Sequence, residues 1–99
     1  MLKGYWIAHV TVRDSERYKE YQALNAIAFA KYNARFLVRG GGEGAQVRGG
    51  ALKQRHVVIE FESLAVARAC YDSPEYKAAI KVRDLAGEVD IVVAEGYAG

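Results

Sequence analysis

Every second residue from Trp6 to Val12, and again from Val57 to Phe61, is apolar. This two-residue alternation in YWIAHVTV and HVVIEF restricts the chain to folds in which a sheet buries one side. Aromatic and β-branched residues fill both segments, which suits pleated, packed strands. Between them the period changes. Tyr18, Tyr21, Leu24, Ala28, Phe29 and Tyr32 recur at three- and four-residue spacing and form the apolar stripe of a helix. Asp14 is a good N-cap and Glu16 places a negative charge in the first turn, so this helix is expected from there to about Tyr32.

The remaining segments complete an alternating order. Arg35 to Arg39 (RFLVR) reads as a second strand stopped by Gly40-Gly41-Gly42, and the polar piece Ala45 to Arg48 can extend the hairpin as a flap. Ser63 caps a short helix through about Tyr71. Ser73-Pro74-Glu75 restarts a helix with Pro at its first position, and Gly87 ends it. Val89 to Gly96 (VDIVVAEG) is the last strand. Strand, helix, strand, strand, helix, strand, joined by right-handed crossovers, gives an α+β fold: a ferredoxin-like βαββαβ sandwich with a four-stranded antiparallel sheet and the helices on one face. The expected order has strands one and three central and strand two beside three.

Ninety-nine residues allow one domain, residues 1–99, with one core. A chain of this size buries only about two-thirds of its unfolded surface, so burial through self-association would help it. The net charge of +2 comes from basic residues spread along the chain, without the clustering of a nucleic-acid binder. No apolar run approaches the ~20 residues that cross a bilayer. The N-terminal apolar run is short and is broken by His9, unlike a signal peptide. Cys70 is alone, which excludes an intrachain disulfide and suits a reducing compartment; a cytoplasmic setting is expected.

Splitting the strands by alternation separates two faces. Trp6, Ala8, Val10, Val12, Phe36, Val38, Val57, Ile59 and Phe61 are uniformly apolar and belong under the helices. Tyr5, Ile7, His9, Thr11, Arg35, Leu37, Arg39, His56, Val58 and Glu60 mix apolar with ionisable groups. The last strand is apolar on both sides and its facing stays open. A mixed face suits one half covered by a partner and half lining a wet cavity, where a few polar groups converge on a small molecule. Matched faces can set Arg35 opposite Glu60 and Arg39 opposite His56, with His9 diagonal to Glu60; a slip by one residue would invert the faces.

On that register His9 and Glu60 form either a general acid/base pair or a structural hydrogen bond in a dimer interface. Arg39 either anchors an anionic group bidentately or pairs with Glu60 or Glu95. Arg35 and His56 share the face, and among the tyrosines one or two can line a pocket while most pack in the core. Gly40 to Gly42 lacks a Gly-Lys-Ser/Thr motif and a following helix, so a hairpin turn is expected rather than a phosphate loop. Cys70 is expected to be an inert buried thiol. His9, His56 and Glu60 lack the spacing of a metal site, and no metal or other cofactor is expected.

Lys31-Tyr32 through Phe36-Leu37-Val38-Arg39-Gly40-Gly41, then Val57-Val58-Ile59-Glu60-Phe61, Tyr71-Asp72-Ser73-Pro74-Glu75-Tyr76 and Ala94-Glu95-Gly96 resemble the domain-of-unknown-function family 1330 over nearly the whole chain. Asn33 stands where that family often has Gly, and Glu62 where it often has Pro. The resemblance implies a dimeric α+β barrel, in which two ferredoxin-like sheets pack face to face as a homodimer. It carries the family pattern onto Tyr32, Arg39, Gly40, Glu60, Ser73, Pro74 and Tyr76, which adds Tyr32 and Tyr76 to the candidate ligand residues. The superfamily it implies includes cofactor-free monooxygenases, haem-degrading enzymes, muconolactone isomerases and dehalogenation or decarboxylation enzymes. The expected function is binding of a small anionic or aromatic metabolite in the sheet-face cavity, with His9 and Glu60 handling protons. The alternatives are a non-catalytic structural or regulatory homodimer and a monooxygenase-like enzyme.

Overall fold

The computed structural model describes all residues, Met1–Gly99. In chain order the elements are β1 (Gly4–Val12), α1 (Ser15–Lys31), β2 (Arg35–Gly40), a 3₁₀ turn at Gly42–Gly44, β3 (Arg55–Phe61), α2 (Leu64–Asp72), α3 (Pro74–Ala86) and β4 (Gly87–Glu95). The strands form one antiparallel sheet in the order β2-β3-β1-β4, with the helices on one face: the ferredoxin-like βαββαβ arrangement. No helix is long and apolar enough to cross a membrane.

The caps do what their chemistry allows. The Asp14 carboxylate accepts from the Arg17 N–H, and the Ser63 hydroxyl accepts from the Val66 N–H. Ser73 both terminates α2 and starts α3, its hydroxyl donating to Cys70 O and accepting from the Tyr76 N–H. Tyr32 caps the end of α1, and Asn33 takes the left-handed turn at φ 55°. Gly87 closes α3 where the backbone of Thr11 crosses it; a Cβ there would lie 2.0 Å from Thr11 O, so only glycine fits.

Trp6 centres the core. Its ring lies 4.9–5.5 Å from those of Tyr76, Phe61, Phe29 and Tyr71, and its indole N–H donates to Ala67 O at 2.9 Å. Truncating such a residue costs about 3–5 kcal/mol, a large share of the stability of a small domain.

Two details differ from the sequence expectation, and one that it left open is settled. The Ala45–Arg48 piece does not extend the hairpin as a flap; the connection carries only the 3₁₀ turn and unpaired backbone. The facing of β4 is settled by its pairing with β1: Val89, Ile91 and Val93 oppose Val10, Ala8 and Trp6 on the helix side, and Asp90, Val92 and Ala94 oppose the other set. The third is a β-bulge in β2. Arg35 and Phe36 pair with Glu60 and Ile59, but Val38, Arg39 and Gly40 pair with Val58, Val57 and His56, which leaves Leu37 as the extra residue. Bulges concentrate on edge strands such as this one. Beyond it the faces invert: Val38 turns outward, 47% exposed, and Arg39 joins the row that looks toward the helices.

Candidate functional site

The open sheet face is organised in rows that cross the strands. The middle row is apolar: Val58 of β3 faces Leu37 and Val38 of the bulge on one side and Ile7 on the other, and Ile7 faces Val92. Leu37, Val38 and Val92 are about half exposed and Ile7 somewhat less, so a continuous band of branched side chains meets solvent. One flanking row runs Arg35, Glu60, Tyr5, Ala94 and the other Gly40, His56, His9, Asp90.

Most polar groups of these rows are engaged, within the rows or with Lys53 beside them. The Tyr5 hydroxyl donates to Glu60 Oε2 at 2.9 Å, and that bond, more than burial, raises the phenol above its ordinary range. His9 Nδ1 and His56 Nδ1 lie 2.9 Å apart, an arrangement that requires one of the two nitrogens to be bare. Lys53 Nζ bonds Asp90 Oδ2 at 2.5 Å.

This corrects the expected acid/base pair. Glu60 stands opposite Tyr5, and His9 lies four residues further along β1, about 13 Å away at the rise of a strand. The physical reason is the β1–β3 register, which aligns His9 with His56 instead. Arg35 does oppose Glu60, on the exposed edge. Arg39 opposes neither His56 nor an acid, because the bulge has turned it to the other side of the sheet.

On that other side lies the chain's most enclosed cavity, between α1 and the sheet, about 430 Å³ with its mouth included. Its innermost part has room for two or three waters. Eleven of its fifteen lining residues are apolar, among them Trp6, Phe29, Phe36 and Ile59; the other four are Gln22, Asn25, Arg39 and Arg55, and none is acidic. The Arg39 guanidinium lies 4.4 Å over the Phe36 ring and that of Arg55 lies 5.4 Å over the Tyr18 ring. Arg55 Nε is buried with no hydrogen-bond partner. Sequence reasoning did not single out Arg55 or Asn25, although the signal was present. Counting back from Val57 by two puts Arg55 on the helix side, and Asn25 falls four residues beyond Tyr21 on the apolar stripe of α1.

Tyr76 and Tyr32 do not reach this cavity. Tyr76 is fully buried in the core, its hydroxyl 2.8 Å from that of Tyr21 and accepting from Arg83 Nη1 at 3.4 Å. Burial, then the neighbouring Tyr21, raises its phenol far above the usual range. Burial alone would lower the Arg83 guanidinium, but hydrogen bonds to Tyr71 and Tyr76 raise it. Tyr32 is half-buried at the end of α1 under the Lys31 ammonium. Cys70 is buried, and that burial, helped by Glu75, pushes its thiol up to about 12. No three His, Cys, Asp or Glu side chains converge closely enough to hold a metal ion.

Solved structures with this architecture are numerous. A protein of unknown function from Rhodopseudomonas palustris is 14% identical over 99% of this chain and 85% of its own, with a TM-score of 0.72. A dimeric ferredoxin-like protein of unknown function from Jannaschia sp. CCS1 is 12% identical over 95% and 99%, with a TM-score of 0.73. SnoaB, a cofactor-independent oxygenase from Streptomyces nogalater, is 12% identical over 100% and 97%, with a TM-score of 0.66. At these identities the likeness establishes the fold. No functionally curated protein matches the sequence. The model of one protein family matches residues 3–97, and by that match the chain belongs to the domain of unknown function family DUF1330.

Proposed function

We propose that this protein is a homodimeric small-molecule-binding domain. Two copies close their open sheet faces on each other, and each copy holds a small ligand with an apolar body and an anionic group in the cavity beneath α1. The observation that carries the reading is the cavity itself: aromatic and aliphatic walls with two guanidinium groups, Arg39 and Arg55, and no acidic side chain to neutralise them. An apolar pocket with a few convergent polar groups is the usual form of a ligand site. Arg39 keeps the anchoring role expected of it, in a different place. The half-exposed band of Ile7, Leu37, Val38 and Val92 supports the dimer, because burial of such a band is what a small domain gains from a second copy. Dimeric ferredoxin-like neighbours support it too.

Binding is favoured over acid/base catalysis. No imidazole or carboxylate lines the cavity, and the open-face pairs Tyr5–Glu60 and His9–His56 are bonded to each other as in a satisfied interface. The oxygenase neighbour shares the fold only. Native mass spectrometry of protein purified under mild conditions tests both halves together. The expected spectrum is a dimer that carries up to one small organic adduct per protomer. A monomer at micromolar concentration refutes the paired faces, and a dimer that takes up no member of a small-carboxylate panel refutes the ligand site.

A further inference from the structure

The two cavity arginines are held in a way that says what they receive. Each guanidinium lies against an aromatic ring, Arg39 on Phe36 and Arg55 on Tyr18. Stacking engages the face of the group and leaves its in-plane N–H donors free. Neither arginine makes a salt bridge or a side-chain hydrogen bond. In Arg55 the Nε is sealed from solvent with no acceptor, the one side-chain nitrogen or oxygen of the chain so placed, so it is the Nη end of the guanidinium that is open to a ligand.

We infer that Arg55 is a specificity-determining residue that reads a carboxylate end-on, through the parallel N–H donors of its two Nη groups, which no residue of the chain engages. The ligand class is then a small monocarboxylate on a flat, apolar body. The inference deepens the cavity reading above and rests on it. A planar carboxylate matches two parallel N–H donors, which a lysine ammonium cannot offer. A flat apolar body suits walls that include Trp6, Phe29 and Phe36; the enclosed part of the cavity admits only water-sized groups, so the body of the ligand lies toward the mouth. Arg39, which also lines the cavity, contributes charge without being sealed, since it is exposed. Asn25 and Gln22 on the α1 wall are the remaining polar groups for a ring substituent.

Isothermal titration of the whole protein with benzoate, benzamide and benzyl alcohol tests this. All three carry the same ring, and only benzoate offers two equivalent anionic oxygens. Wild-type protein is expected to bind benzoate at a Kd of ~1 mM or below, as suits so small a ligand, and at least tenfold more tightly than either neutral probe. Arg55→Lys, which keeps the charge but loses the parallel donors, is expected to weaken benzoate at least tenfold while leaving the neutral probes unchanged. Equal binding of all three probes to wild type overturns the carboxylate inference and leaves the cavity reading standing. Failure of all three to bind overturns both. Full benzoate affinity in Arg55→Lys overturns the role of Arg55. If that variant does not fold, the comparison among probes on wild type still decides the carboxylate question.

Discussion

Replacing Val92 by Asp should dissolve the dimer while sparing the protomer. The two side chains are nearly the same size, and Val92 is 58% exposed in the isolated chain, so the substitution removes little that the protomer itself uses. Exposed changes of this kind stay within about 0.5 kcal/mol. In a two-fold interface each residue acts twice. Fully burying a valine is worth roughly 1.5–2 kcal/mol, so the exposed share of Val92 contributes about 1 kcal/mol per copy. Desolvating a carboxylate in its place costs at least about 1 kcal/mol more per copy even where partial compensation occurs. Over both copies the loss is about 4 kcal/mol, or roughly a thousandfold in Kd. Sedimentation velocity across a concentration series reads that change, and circular dichroism confirms that the protomer melts where wild type does. A Val92→Asp protein that sediments as wild type at every concentration would refute the face-to-face packing.

Other consequences are simpler. Tyr76→Phe removes the hydrogen bond to Tyr21 inside the core and should cost about 1–2 kcal/mol, a fall of several degrees in Tm by calorimetry. Deleting Leu37 takes out the bulge's extra residue and leaves Val38, Arg39 and Gly40 on their present partners; the variant should fold cooperatively and keep Arg39 at the cavity, which chemical denaturation and benzoate titration can check. The Cys70 thiol, pushed up to about 12 by burial in the folded chain, should resist Ellman's reagent at mild alkaline pH until the chain is unfolded. Because the folded value is raised, the unfolded chain sheds this proton first. Its contribution to stability is therefore full below about pH 9 and is lost as the pH climbs toward 12, visible as a falling denaturation midpoint.

The parts of the fold that the sequence announced are those where a local signal and a tertiary demand coincide. The alternation at Trp6–Val12 and Val57–Phe61, the stripe on α1 and the Ser73-Pro74-Glu75 restart each specify an element without outside help. The site was less legible, for two identifiable reasons. Leu37 and Val38 are both apolar, so the alternation carries no mark of the extra residue between them, and the face of Arg39 was assigned by a parity that the bulge reverses. The β1–β3 register depends on how the crossovers seat the two central strands, and a shift by two leaves every face unchanged while moving His9 from Glu60 to His56. Arg55 was missed because a single residue ahead of the clear HVVIEF pattern reads as loop, yet it lies in the strand and its parity points inward.

The most direct test of the cavity follows from its lining. Trp6 is the only tryptophan in the chain and forms part of the cavity wall, so its indole N–H gives one assignable nuclear magnetic resonance signal at the site. Titrating isotope-labelled protein with benzoate should move that signal along a saturable curve, together with the methyl groups of Val57, Ile59 and Ile91, while those of Ile7, Val58 and Val92 on the open face stay in place. An unmoved Trp6 signal, or shifts confined to Ile7, Val58 and Val92, would contradict the account and return the ligand site to the open face of the sheet.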